Sequence, residues 1–332
     1  MSRATAVAHP NIALVKYWGK RDTDRNIPAT GSLSMTLSGL ETRTTVEFST
    51  DRNGDFLQLD GDPVESGRAL DRIESFLDLV RRRAGVRAGA RVVTRNNFPT
   101  GAGLASSASG FAALATAATE ALDLEIDDGE LSALARRGSG SAARSLFGGF
   151  VRMETGSAAD GSDARAHQLA EASHWDLRCF VVETVGGQKR VGSTEGMLHT
   201  ERTSPYYDAW TEQVPGDLDR AEEAVVDRDF SQLWEVAEAN CLRMHAAAMA
   251  ADPGLIYWAP ETVSVVQSLR AAQREGLEAF FTIDAGPHVK VFSPTDGEEE
   301  VAAWLGELEV PIEIHETTPG PGASLVGDHL EE

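Results

Sequence analysis

The stretch PTGAGLASSASG, Pro99 to Gly110, holds three glycines and three serines in twelve residues. It follows a Val-rich segment and opens a run of small residues, which reads as strand, turn and helix start. Unpaired N–H groups of a first helical turn point outward, and the helix dipole favours negative charge there. Gly101 and Gly103 remove Cβ atoms where an oxygen must approach. Ser106 and Ser107 add hydroxyl donors, and one of them can ligate Mg²⁺. The lysine-bearing phosphate loop is excluded, because no Lys occurs between Arg91 and Gly187. The dinucleotide fingerprint wants a third Gly or Ala where Ser106 stands. The alternative is a glycine-rich connector with no ligand.

Three further stretches carry chemistry. In NIALVKYWGKRD, Lys16, Tyr17, Lys20 and Arg21 put three cations and a phenol within six residues, which suits a multiply charged anion. A solvated basic turn is the alternative, and Trp18 between the lysines argues for a packed segment instead. In RRGSGSAARS, Ser139, Ser141 and Arg144 alternate with small residues. Their hydroxyls and guanidinium can converge on one anion, or the serines can serve as helix N-caps. In TIDAGPHVKV, Asp284 sits at the tip of an apolar strand before a tight turn. An Asp there is a turn former, or at the rim of an anion site it orients or deprotonates a substrate hydroxyl.

The elements that must position these residues alternate between strand and helix periods. ATAVAH, TRTTVEFST and ARVVTRN read as strands rich in Val and Thr. Leu70, Ile73, Phe76, Leu77 and Val80 recur at a helical period, and a small-residue helix follows the glycine loop. Further on, LRCFVVET reads as a buried strand, helical material covers about Ser204 to Met249, and another helix covers Glu261 to Glu275. EAFFTID and HVKVF are short strands, GEEEVAAWLGEL a helix and VPIEIHE a last strand. This β–α–β–β–α–β ending predicts a ferredoxin-like half. The expected boundary lies near residue 180, giving lobes 1–180 and 181–332.

The chain has 332 residues and a formal charge of −22, from 30 basic and 52 acidic side chains. Such a surface repels nucleic acid and anionic lipid. A polyphosphate ligand must therefore be won at short range, by clustered Lys, Arg, backbone N–H groups and Mg²⁺. The two cysteines, Cys179 and Cys241, read as reduced, partly buried thiols. No apolar run has signal-peptide or membrane-spanning length, so the chain is expected to be cytoplasmic.

PTGAGLASSA resembles the phosphate-binding motif of the GHMP kinase superfamily. With NIALVKYWGKRD, RRGSGSAARSLFGGFV, SHW, GSTEGM, MHA and TIDAGPHVKVF, in order over nearly the whole chain, the sequence is similar to the mevalonate diphosphate decarboxylase family. The resemblance implies an α+β, two-lobed GHMP kinase fold. Its N-terminal lobe would be ribosomal protein S5 domain 2-like and its C-terminal lobe ferredoxin-like, with the site in the cleft between them and a homodimeric assembly.

The implied reaction uses ATP and Mg²⁺ to phosphorylate the 3-hydroxyl of mevalonate 5-diphosphate. Loss of phosphate and CO₂ then yields isopentenyl diphosphate for isoprenoid synthesis. A phosphomevalonate decarboxylase or a 3-kinase of the same family is the alternative, and a non-catalytic nucleotide-binding scaffold is opposed by the presence of both Asp284 and Lys16. By the same resemblance, Asp284 is the catalytic carboxylate and Lys16 its partner. Gly101, Gly103, Leu104, Ala105, Ser106 and Ser107 hold the ATP phosphates, with Ser107 also the metal contact. Tyr17, Lys20, Ser139, Ser141 and Arg144 hold the substrate's 5-diphosphate. Three places depart from the family. Thr30-Gly31-Ser32 replaces Asn-Ser-Ser, His288 replaces a common Asn, and Thr194 stands where some bacterial members carry Arg.

Overall fold

The computed structural model describes residues 2–98, 106–184 and 191–331. Gly101, Gly103, Leu104 and Ala105 lie outside them. The eight described helices are α1 (Arg68–Ala84), α2 (Ser106–Ala121), α3 (Asp128–Gly138), α4 (Ser193–Thr203), α5 (Tyr207–Asp227), α6 (Phe230–Met249), α7 (Pro260–Arg274) and α8 (Glu298–Gly306).

The first lobe carries two sheets. In the larger, the strands run in the order Ser324–Val326, Arg3–Ala8, Thr42–Ser49, Gly89–Asn96, Phe56–Leu59 and Asp62–Pro63. Helix α2 lies across Arg3–Ala8 and Thr42–Ser49. Its alanines, Ala108 to Ala121, are buried nearly all round, and small side chains let a helix approach a sheet this closely. Helix α1 buries one face through Phe76, Leu77 and Val80 and ends at Gly85, whose left-handed φ of 68° lets its N–H close on Arg81 and Arg82 carbonyls. The smaller sheet is antiparallel, in the order Ala166–Ala170, Phe150–Met153, Ser32–Thr36, Asn11–Val15. The hydroxyl-rich segment Ser32–Thr36, where Leu33 and Met35 alternate with Ser32, Ser34 and Thr36, is a fully buried strand.

In the second lobe the strands Phe280–Ile283, Val289–Pro294, Leu177–Thr184 and Ile312–Thr317 lie side by side in that order, all antiparallel. Numbered along the chain this is 2-3-1-4, with α7 and α8 in the two crossover connections, which is the ferredoxin-like arrangement. One face buries Phe281, Ile283 and Val291 against Val265 and Leu269 of α7 and Val301 and Leu305 of α8. The other face gives Phe280 and Phe292 to a core that also holds Ile12, Leu14 and Phe150 of the first lobe and Trp210, Leu218 and Leu233 of α5 and α6. The lobes are therefore joined by shared apolar packing rather than by a linker.

Two features differ from the sequence reading. The helical stretch expected from Ser204 to Met249 is two helices, broken at Arg228, which adopts a left-handed φ of 57°, and restarted by Asp229, whose side chain accepts from the Gln232 N–H; α4 precedes them. The chain end returns to the first lobe: Ser324–Val326 pairs with Arg3–Ala8, and Thr5 Oγ1 lies 2.7 Å from His329 Nδ1. A single cut at 180 thus does not separate the lobes in space. Among the described residues no helix is long and apolar enough to cross a membrane. Cys179 and Cys241 are free and buried.

Candidate active site

A cleft of about 900 Å³ opens between the lobes, and Lys16, Tyr17, Lys20, Ser107, Arg144 and Asp284 all line it. Its floor is built where the edge strand Asn11–Val15 ends. The Lys16 N–H donates to Asn240 Oδ1 on α6 at 2.8 Å, and Asn240 donates onward to Asp217 Oδ2 at 2.9 Å. This fixes the backbone from which Lys16 projects. Its Nζ donates to the Ala13 carbonyl at 2.9 Å and to Asp284 Oδ1 at 2.7 Å. Asp284 follows the strand Phe280–Ile283, and His245 Nε2 donates to the Ile283 carbonyl at 3.1 Å, pinning that strand end. Lys290 Nζ stands 3.7 Å from Asp284 Oδ2.

The two lysines are 1 % exposed each, whereas the Asp284 side chain is 30 % exposed and faces the cleft. Burial pushes the Asp284 carboxyl up, but Lys16, Lys290 and Arg144 outweigh it and hold the group down at about 2. Asp284 is therefore an anion at any working pH.

Beyond the floor lies a cationic wall. Arg144 is buried, with Nε donating to Ser34 Oγ at 3.0 Å, Nη1 to Ser32 Oγ at 2.7 Å and Nη2 to Asn11 Oδ1 at 3.1 Å. The serines of the hydroxyl-rich strand thus serve to seat a guanidinium. Burial lowers Arg144 to about 10, partly offset by Asp284 and Tyr17. Ser139 Oγ lies 3.3 Å from Ser141 Oγ and 3.4 Å from Ser107 Oγ. Ser139 makes no side-chain cap bond to the short 3₁₀ turn that follows it, so the cap reading gives way to a hydroxyl row facing the cleft. The Tyr17 hydroxyl is buried with no hydrogen-bond partner among the described residues, and burial pushes its phenol up.

Lys20 donates to Asn26 Oδ1 at 2.6 Å and to Thr194 Oγ1 at 2.9 Å. Burial first, then Arg72 and Arg68 nearby, lower it to about 8. The basic segment is packed, not solvated: Trp18 is 1 % exposed and its carbonyl accepts from Trp210 Nε1. Arg21 does not join the wall. It is exposed and donates outward to the Gly156 and Thr155 carbonyls.

At the far end, α2 begins at Ser106 and aims its first turn into the cleft, with Ser106 and Ser107 on the lining. The Ser107 hydroxyl beside Ser139 is a neutral oxygen donor, a kind of group that suits a hard cation already carrying phosphate oxygens. Gly101, Gly103, Leu104 and Ala105 of the same expected cradle lie outside the described residues.

Several site residues escaped the sequence reading. Lys290 occupies an alternating strand, where a Lys reads as solvent-facing. Asn11 and Asn26 hold cations rather than ligands, and an isolated Asn carries no such signal. Arg68 and Arg72 line the cleft from α1, where the sequence shows only a polar helix face.

Comparison with known proteins decides the family. The model of the diphosphomevalonate decarboxylase-like N-terminal domain matches residues 8–166, and that of the mevalonate 5-diphosphate decarboxylase C-terminal domain matches residues 179–319. The chain belongs to the diphosphomevalonate decarboxylase family. Within that family it is 35 % identical to the diphosphomevalonate decarboxylase of Candida albicans, over 99 % of both chains. It is 34 % identical to the phosphomevalonate decarboxylase of Haloferax volcanii, over 94 % of both. The solved complex of MDDEF with MVAPP, AMPPCP and magnesium matches with a TM-score of 0.92 at 39 % identity, over 98 % of this chain and 99 % of that one. The chain is thus a decarboxylase of the mevalonate pathway with the GHMP kinase fold.

Proposed function

We propose that the chain converts mevalonate 5-diphosphate, ATP and Mg²⁺ into isopentenyl diphosphate, ADP, phosphate and CO₂. The observation that carries this reading is the 2.7 Å contact of Lys16 with Asp284 at the floor of a cleft. That floor has a helix start bearing Ser106 and Ser107 on one side and Lys20, Arg144 and Tyr17 on the other. The 5-diphosphate sits on Lys20, Tyr17, Arg144, Ser139 and Ser141, which supply locally the positive charge and donors that the −22 surface lacks. The ATP phosphates lie against the start of α2, in the cradle expected to include Gly101, Gly103, Leu104, Ala105, Ser106 and Ser107. Ser107 would help hold Mg²⁺ beside the ATP phosphates, where the ion would neutralise charge during transfer.

Asp284 accepts the hydrogen bond of the 3-hydroxyl and takes its proton as that oxygen bonds to the terminal phosphorus and the bond from phosphorus to the ADP oxygen breaks; held low by its cations, Asp284 passes the proton on to solvent and is again a carboxylate. Lys16 holds Asp284 in place and faces the charge on the moving phosphoryl oxygens. A tertiary alcohol leaves badly, whereas its phosphate leaves well. The C3–O bond breaks with its electron pair going to phosphate, and the positive charge growing at C3 is favoured by the Asp284 carboxylate. The C1–C2 bond pair then becomes the C2–C3 double bond, and CO₂ departs.

A second reading, decarboxylation of mevalonate 5-phosphate, is favoured by one observation. Lys20 is bonded to the neutral Thr194 where some family members carry an Arg, so one phosphate contact is fewer. By resemblance, the assembly is proposed as a homodimer acting in the cytoplasm. The purified protein with ATP, Mg²⁺ and each mevalonate phosphate, with ADP and CO₂ followed separately, tests these readings. Equal ADP and CO₂ from the diphosphate is the expected result. Turnover with the monophosphate alone would overturn the substrate, and ADP without CO₂ would overturn the decarboxylation.

A further inference from the structure

We propose that Lys290 is a positioning residue for Asp284, holding the Oδ2 edge of the carboxylate while Lys16 holds Oδ1, so that the reacting carboxylate is clamped from both lobes. This rests on the decarboxylase reading and adds to it a residue that the motif resemblance did not single out.

The geometry is asymmetric. Lys16 comes from the first lobe and meets Oδ1 at 2.7 Å; Lys290 comes from the strand Val289–Pro294 of the second lobe and stands 3.7 Å from Oδ2. Lys290 Nζ also lies 3.4 Å from the His288 carbonyl, which ties its ammonium to the turn that follows Asp284. The strand neighbours across the sheet, Thr282 and Val181, are buried on either side of it.

A buried ammonium in that position is expensive. Desolvation opposes it, and Lys16 repels it. Other titratable groups facing it from the packed elements give little relief. Cys179 and Cys241 are thiols held protonated by burial, and His245 and His288 are held neutral, both at about 4. Glu183, two residues along the strand from the Val181 that pairs with Lys290, feels the ammonium, but burial pushes its carboxyl up. Asp284 is the group that most offsets the cost of the buried ammonium. Three cations, Lys16, Lys290 and Arg144, therefore surround one anion. This arrangement keeps Asp284 ionised and oriented and leaves net positive charge for an incoming anion. An apolar side chain at this strand position would satisfy packing alone, without the charge.

The test compares Lys290→Met with Lys290→Arg in the ADP-release assay, reading kcat, KM and the pH profile of kcat/KM. Removing a cation beside a carboxylate raises its pKa. The acid limb, below which Asp284 is protonated and turnover fails, should therefore move up by roughly one to three pH units in Lys290→Met. The same variant should lose on the order of ten- to a hundred-fold in kcat with KM changed by less than about three-fold. Lys290→Arg should recover part of both. If Lys290→Met does not fold, the profile of Lys290→Gln takes its place, and the acid limb of Lys290→Arg must lie below that of Lys290→Gln. A variant with unchanged kcat and an unmoved acid limb overturns the positioning role. Wild-type protein that releases no ADP with any mevalonate phosphate overturns the decarboxylase reading instead, so the two failures are distinct.

Discussion

Lys20 reaches Thr194 across the cleft: its Nζ, rooted in the first lobe, donates to the Thr194 Oγ1 at the start of α4 at 2.9 Å. It also donates to Asn26 Oδ1. Both partners are neutral, so the cation is held in place without being neutralised. Held by burial, Arg72 and Arg68 at about 8, it is poised to gain a proton's worth of attraction when a phosphate arrives. With the ammonium in its proposed place on the 5-diphosphate, kcat/KM for the phosphorylated mevalonate should fall as pH rises through about 8. A pH series on the wild type and on Lys20→Met checks this. The variant should bind on the order of ten- to a hundred-fold more weakly and lose that alkaline limb.

Gly140 lies under the Tyr17 ring. A Cβ at this position would stand 2.6 Å from Tyr17 Cζ, so the ring must move. Its φ is unexceptional, which makes the cost of Gly140→Ala steric rather than conformational. Displacing the phenol proposed to hold the substrate by a fraction of an ångström should raise KM on the order of tenfold, with a smaller effect on global stability. Steady-state kinetics beside a thermal melt separate the two. An unchanged KM would mean that Tyr17 has room to yield.

His245, of the MHA segment, is 1 % exposed, and its Nε2 donates to the Ile283 carbonyl next to Asp284. Burial, the largest influence, lowers it from 6.5 to about 4, so at neutral pH it is an uncharged strut. The folded value is depressed, so the unfolded chain binds more protons between those two values. The stability this group contributes is full above about 6.5 and is lost as pH falls towards about 4. Chemical denaturation at a series of pH values should show that decline flatten in His245→Gln. His245→Ala should destabilise by about 1–3 kcal/mol by leaving a buried carbonyl unpaired. A decline of equal slope in His245→Gln would assign it to other groups, such as His288.

How much of this was legible beforehand follows from distance in sequence. Lys16 and Asp284 are 268 positions apart, and no local pattern joins them; the motif resemblance did. The ferredoxin-like half was readable because its strand and helix stretches follow one another as β–α–β–β–α–β. Ser32–Thr36 alternates as a strand does, but its polar face reads as solvent-facing, and only the fold shows Ser32 and Ser34 buried against Arg144. Lys290 was missed for the same reason. Val-Lys-Val alternation predicts a solvent-facing lysine, and only the fold reveals that this face is covered by the other lobe. The return of Ser324–Val326 to the first sheet was equally hidden, since three residues carry no period.

The account depends most on Asp284. Asp284→Asn keeps the size of the side chain and removes the charge that faces the 3-hydroxyl. Parallel calorimetric titration and single-turnover ADP release on this variant give the most direct measurement. The account predicts binding of ATP and of mevalonate 5-diphosphate within about tenfold of wild type and a loss of at least ~10³ in the rate of ADP formation. A variant that binds both ligands and turns over at the wild-type rate would contradict it.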